Sequence, residues 1–160
     1  MAKQSAGTPA TLALTTAGIP FTQHVYEHDS AETAFGLEAA RKLGVDASRV
    51  FKTLLADADG RLVVGIVPVS GQLDLKALAS TVGAKRATLA DPAVAQRKTG
   101  YIVGGISPIG QKTSLTTVLD ASASAFDTIF VSGGRRGFDI ELTPADLLRI
   151  TGGTTGPIGR

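Results

Sequence analysis

The hydrophobic pattern of this chain changes period from segment to segment, and those changes predict its elements. Thr8 is placed to cap a first helix, with Pro9 at its first position and Gly18 at its end, ahead of Pro20. Phe21 to Tyr26 reads as a strand. Leu37, Ala40 and Leu43 recur at helical spacing over Ala34–Leu43, and Gly44 terminates that helix. Val50–Ala56 and Leu62–Val69, rich in valine and isoleucine, flank an Asp59-Gly60 turn and predict a hairpin. Asp74 caps a helix carrying Leu75, Leu78, Ala79 and Val82 and closed by Gly83. Lys85–Leu89 is a short strand, and Asp91-Pro92 opens a helix that stops at Gly100. Tyr101-Ile102-Val103 is a brief apolar run before Gly104-Gly105, and Thr116–Leu119 is a weak strand. Thr128–Val131 and Phe138–Leu142 predict a second hairpin around Ser132–Gly137. Thr143, Pro144 and Asp146 mark the start of a last helix that ends near Gly152.

Helices and strands are mixed, both hairpins are antiparallel, and no regular alternation of strand and helix appears. The expected fold is α+β: one domain over residues 1–160, with a mixed, mostly antiparallel sheet forming a partly closed barrel flanked by helices. No repeat or linker divides the chain. Residues 153–160 carry no core-forming pattern, and both they and residues 1–7 are expected to be mobile tails.

One polar residue interrupts the first hairpin. Side chains alternate along a strand, so Lys52 shares a face with Val50 and Leu54. A lysine there either blocks unwanted pairing at a sheet edge and reaches water, or is held where its charge has a use. Periodicity alone leaves both readings open. Burial pushes such a pKa down and nearby anions push it up, and the sequence does not decide between them.

Composition narrows the partners little. Sixteen basic residues against fourteen acidic ones give a net charge of +2, which permits a phosphate-bearing partner without arguing for one. The basic pairs Arg41-Lys42, Lys85-Arg86, Arg97-Lys98 and Arg135-Arg136 are ordinary for solvated faces. The chain has no cysteine, which removes disulfides, thiolate metal sites and a cysteine nucleophile, and fits the cytoplasm. No stretch reads as a secretory signal or a membrane span.

Several motifs tempt and fail. His24-Val25-Tyr26-Glu27-His28 has the H-x-x-E-H spacing of an inverted zincin, but that spacing needs a helix. On a strand the two imidazoles lie roughly 13 Å apart, too far to share a zinc, so no metal is expected. Gly105–Thr113 approaches a P-loop, but Gln111 separates the glycine from the lysine and a proline interrupts the loop. No G-x-S-x-G elbow holds a serine. The turns Gly104-Gly105-Ile106-Ser107-Pro108 and Ser132-Gly133-Gly134 remain, where glycine lets backbone amides approach an oxygen or anion. Asp139, in the second hairpin, is a carboxylate either facing solvent or partly buried.

These segments together resemble a known family. Tyr26-Glu27-His28-Asp29, Phe51-Lys52-Thr53-Leu54-Leu55, Gly71-Gln72-Leu73-Asp74-Leu75-Lys76 and Asp91-Pro92 resemble motifs of the YbaK (EbsC-type) Cys-tRNA(Pro) deacylases. So do Gln96-Arg97, Thr99-Gly100-Tyr101, Gly104–Pro108 and Ser132–Leu142, in order along nearly the whole chain. These deacylases are relatives of the editing insertion domain of prolyl-tRNA synthetases. The resemblance implies a trans-editing enzyme that hydrolyses misacylated tRNA, chiefly Cys-tRNA(Pro), without a cofactor and with prolyl-tRNA synthetase as a partner. It places the family's lysine on Lys52 and its G-x-x-x-P loop on Gly104 to Pro108, with Gly104 and Gly105 as the loop's catalytic amides. It places pocket residues on Tyr26, Phe35, Thr53, Ser132 and Asp139, with Pro108 beside them. It also implies that the substrate's own thiol attacks the ester; Lys52 is expected to act beside it as a fixed cation rather than a general base. Two other readings stay open: a non-catalytic module that binds charged tRNA or the synthetase, and a deacylase for another substrate such as Ala-tRNA(Pro).

Overall fold

A computed structural model describes residues 7–160. Helix α1 (Pro9–Ala17) starts where Thr8 Oγ1 accepts the Thr11 N–H at 3.1 Å. The same device opens α3 (Leu75–Thr81) at Asp74, α4 (Pro92–Thr99) at Asp91 and α5 (Pro144–Thr151) at Thr143. Each such cap is worth about 1 kcal/mol. Helix α2 (Phe35–Leu43) is the exception: Ala34 precedes it and offers no side-chain cap.

Strands β2 (Phe51–Ala58) and β3 (Arg61–Pro68) form the first hairpin. Asp59 and Gly60 both take positive φ, 55° and 87°, as a two-residue turn with matching twist requires. β2 also pairs antiparallel with the short β4 (Ala87–Leu89). The rest of this sheet is parallel: β3 pairs with β5 (Thr116–Asp120), and β5 with β8 (Thr154–Gly156). The order is β4-β2-β3-β5-β8. A second, antiparallel sheet runs β1-β7-β6, from β1 (Thr22–Val25), β6 (Ile129–Arg135) and β7 (Phe138–Leu142).

The α+β class and mixed sheet match expectation. Of the expected barrel, the described strands show two sheets joined by a single parallel bridge, Val50 to Phe130, and no closed barrel. The expected mobile tail at 153–160 is a correction: this segment supplies β8, and Ile158 is fully buried beside Leu73 and Val67. A three-residue strand is too short to carry a period. The other expected tail, residues 1–7, lies outside the described residues except for Gly7.

β3 explains how the layers stack. Its stretch Val63–Val67 is buried throughout because both faces of the sheet are covered. Val64 and Ile66 join the main core with Leu14, Phe138 and Leu147, while Val63 and Val67 join Leu78 and Ile158 on the other side. A third cluster, Val50, Val69 and Phe130, lies under Ala39 and Ala40 of α2 where the sheets meet. Among the described residues no helix is long and apolar enough to cross a membrane.

Candidate functional site

The site forms where β2 loses its neighbour. β4 pairs only with Ala56–Ala58, and the Ala90 N–H reaches the Leu55 carbonyl at 3.0 Å. The preceding stretch Phe51–Leu54 therefore borders open space, a cavity of about 460 Å³. The start of α2, Ser132 of β6, Asp139 of β7, the β4–α4 junction and the Val103-Gly104 turn complete its walls. Residues from both faces of β2 contribute, because the cavity wraps around the strand's free edge.

Lys52 is half-buried on this wall, and its Nζ donates to the Gly71 carbonyl at 3.1 Å. Burial lowers its pKa. Of the two opposing influences weighed from the sequence, desolvation is the one that acts on it here. Asp139 is 6% exposed, and burial pushes its carboxyl up to about 7. Tyr26 is raised well above the ordinary tyrosine range, first by burial and then by the charge of Asp139. The phenol therefore keeps its proton and acts as a donor. Thr53 is buried, and among the described residues its Oγ1 has no hydrogen-bond partner. Ser132 stands opposite Asp139 in the β6–β7 ladder, and its Oγ accepts the Gly134 N–H at 3.2 Å.

Phe35 joins three elements. The Arg136 guanidinium stacks 4.6 Å from its ring centroid and donates to the Val103 carbonyl through Nε at 2.9 Å and Nη2 at 2.7 Å. Gly104 fits between them at φ 88°, where a Cβ would stand 2.9 Å from the Phe35 ring and 2.7 Å from Arg136 Nε.

Of the residues expected at the site, Tyr26, Phe35, Lys52, Thr53, Gly104, Ser132 and Asp139 all line this cavity, while Gly105 and Pro108 do not. The Gly105 N–H donates to Ile102 O at 2.9 Å, and a Cβ there would lie 2.7 Å from Arg135 Cα. Gly105 thus lets the hairpin close on the turn rather than facing the cavity. Pro108 is buried away from this cavity, in the loop whose Gly110 backbone abuts Pro9.

Sequence reasoning missed two supports. Arg136 was visible as half of a basic pair and within the Ser132–Leu142 segment, with no role attached to it. Glu38 is fully buried, and it accepts His28 Nδ1 at 2.6 Å and the Asp29 N–H at 2.8 Å, tying the loop after β1 to α2. Burial acts to raise the Glu38 pKa, but the Asp29 amide and His28 outweigh it and the net shift is downward. A glutamate set among Leu37, Ala39 and Ala40 was the available signal. His24, in β1, pairs instead with Glu141 at 2.9 Å, so the two histidines of the H-x-x-E-H run serve different carboxylates.

The cavity thus gathers a cation, a proton-holding phenol, a titratable carboxyl and an unpaired hydroxyl within apolar walls. That set can bind and polarise a small polar acyl group, and among the described residues Ser132 Oγ is hydrogen-bonded to the Gly134 N–H rather than to a base. Residues 28–150 match the aminoacyl-tRNA editing domain family. The chain belongs to that family. It is 36% identical over 140 residues to EbsC of Enterococcus faecalis, covering 84% of this chain and 82% of that one; the name of that protein proposes a Cys-tRNA(Pro)/Cys-tRNA(Cys) deacylase. It is 33% identical over 109 residues to the multifunctional Ser/Thr-tRNA deacylase ProXp-y of Escherichia coli, covering 68% of this chain and 65% of that one. A solved structure described as a proposed trans-editing enzyme for prolyl tRNA synthetase superposes with a TM-score of 0.85 at 24% identity. It covers 100% of this editing domain and 99% of that chain.

Proposed function

We propose that this editing domain hydrolyses misacylated tRNA, with Cys-tRNA(Pro) as its chief substrate. The observation that carries the reading is the convergence of Lys52, Tyr26, Thr53 and Asp139 on one cavity in a chain of this family. The likeness to EbsC supports the choice of cysteine.

An aminoacyl ester is already activated, so positioning and oxyanion stabilisation suffice for its cleavage. The Lys52 ammonium and the Tyr26 hydroxyl are the donors for the acyl carbonyl as negative charge develops on it. Phe35 is a stacking wall for the terminal adenine. No protein nucleophile is needed if the cysteinyl thiol attacks its own ester. A C–S bond then forms, the C–O bond to the ribose breaks, and the thiol proton passes to the departing ribose oxygen; water opens the resulting thiolactone to free cysteine. Asp139 and Ser132 shape the part of the pocket that receives the amino acid. Prolyl-tRNA synthetase supplies the tRNA discrimination that so small a domain lacks.

The test is a substrate panel. Purified protein is given Cys-tRNA(Pro), Ala-tRNA(Pro) and Ser-tRNA, with and without prolyl-tRNA synthetase, and ester lifetime is followed. Fastest loss of the cysteinyl ester, abolished in Lys52→Ala, is expected; an unchanged lifetime of every ester rejects the reading. The likeness to ProXp-y supports a second reading, in which hydroxyl-bearing amino acids are the substrates. Faster cleavage of the seryl or alanyl ester than of the cysteinyl ester excludes thiol attack as the main route. Activity kept in Lys52→Arg fits a fixed cation, whereas equal loss in Lys52→Arg and Lys52→Ala points to tighter geometry or a titrating amine.

A further inference from the structure

Lys52 lines the cavity, yet its Nζ is held by a group outside the cavity wall, the Gly71 carbonyl 3.1 Å away. Gly71 lies in the turn between β3 and α3, and the same turn is gripped from the opposite edge of the five-stranded sheet. The Gln72 N–H donates to Arg160 O and the Arg160 N–H donates to Gln72 O, both at 2.9 Å. Segment 158–160 reaches that turn by crossing β3 at Gly65. There the absent Cβ leaves room for Leu73 and Ile158, whose methyls would stand 3.0 and 3.5 Å from it. Asp120, at the end of β5, anchors the segment: its Oδ1 accepts the Ile158 N–H at 3.0 Å and the Gly159 N–H at 2.7 Å. Gly71 has no spare room, since a Cβ would lie 2.6 Å from Arg160 O.

We propose that residues 158–160 are a positioning element of the site: clamped by Asp120 and paired with Gln72, they fix the Gly71 carbonyl and, through it, Lys52 Nζ. A lysine amine sits on four rotatable bonds, and an external acceptor selects one arrangement without neutralising its charge. An ammonium has three donors; one is given to Gly71, leaving two for a ligand in the cavity. The catalytic consequence rests on the deacylase reading above, but the relay to Lys52 can be read without activity.

Gly71→Ala sets a methyl against Arg160 O and displaces the carbonyl. We expect kcat on Cys-tRNA(Pro) to fall about tenfold with KM changed less than about twofold, since alignment rather than binding is lost. The Lys52 Nζ resonance of ¹⁵N-lysine-labelled protein, assigned by its absence in Lys52→Arg, should move. In a Lys52→Ala background the same substitution should change the residual rate less than about twofold. Asp120→Asn, which weakens the anchor but keeps its shape, should move the Lys52 resonance in the same direction. A folded Gly71→Ala with wild-type kcat and an unmoved resonance overturns the proposal, as does a Gly71→Ala effect that persists in full without Lys52. If Gly71→Ala fails to fold, an unmoved resonance in Asp120→Asn overturns it. Wild-type protein that cleaves no aminoacyl ester sinks the deacylase reading alone, and the resonance still decides the relay.

Discussion

The Asp139 carboxyl and the Tyr26 hydroxyl are electrostatic neighbours in the cavity: burial raises the tyrosine's pKa, and the Asp139 charge raises it further. Asp139 is itself raised, from an ordinary 3.8 to about 7, by burial. The two groups therefore offer a ligand one fixed donor and one group that changes from donor to acceptor near neutrality.

That pairing makes activity depend on pH through Asp139. The rate of ester cleavage should show an inflection near pH 7 that vanishes in Asp139→Asn. Stability follows by linkage. The folded pKa lies above the unfolded one, so the folded state holds the proton between about 4 and 7 and loses stability as pH rises through that window. The melting temperature of Asp139→Asn should gain on wild type from pH 4 to pH 8, and a constant gap across that range removes the carboxyl from a buried setting.

Glu38 makes the opposite prediction. Its carboxyl carries a lowered pKa in the fold, because the Asp29 amide and His28 outweigh the penalty of burial. Its contribution is therefore present above the ordinary carboxylate range and disappears as pH falls through the folded value. Glu38→Gln leaves a buried amide facing His28 and should cost about 2–3 kcal/mol at neutral pH. Urea unfolding at pH 7 and at pH 3 checks this; the gap to wild type should narrow in acid.

The helices were legible because their stop and start signals are local. Thr8, Asp74, Asp91 and Thr143 each announce a cap within three residues of the amide they bind. The two hairpins were equally legible from adjacent residues. What the sequence hid was pairing between distant segments: β3 with β5 and β5 with β8 in parallel. A three-residue strand such as Thr154–Gly156 has no period to read, and only β5 beside it makes it a strand.

Ile158 turns that omission into a measurement. Its side chain is fully buried against Leu73, so the segment is part of the second core rather than a tail. Ile158→Ala should lower stability by about 2–5 kcal/mol, the usual range for a buried isoleucine truncation. Denaturant titration gives the number. A loss below about 0.5 kcal/mol, typical of surface sites, contradicts the burial.

The site was legible in part, and for a different reason. Residues that line the cavity came from the resemblance, whereas Arg136 and Glu38, which hold Phe35 and the loop before it, came only from the fold. Arg136 reaches the Val103 carbonyl 33 residues away and Glu38 reaches His28 across 10, and neither contact leaves a recognisable spacing in the chain. Gly105 illustrates the converse. Its sequence neighbourhood matches that of Gly104, but its amide is already engaged by Ile102 O.

Thr53 offers the sharpest separation of stability from function. Its buried hydroxyl has no partner among the described residues, and an unpaired buried hydroxyl costs about 1–3 kcal/mol. Valine has nearly the same shape without that hydroxyl, so Thr53→Val should stabilise the fold by about 1 kcal/mol. Thr53 lines the cavity, and loss of its hydroxyl as a hydrogen-bond donor to a bound acyl group should slow single-turnover ester cleavage at least tenfold, about 1.4 kcal/mol. Urea unfolding and deacylation are to be measured on the same preparation. A variant that gains stability and keeps full activity removes the Thr53 hydroxyl from substrate binding. One that loses stability shows that the hydroxyl is bonded in solution.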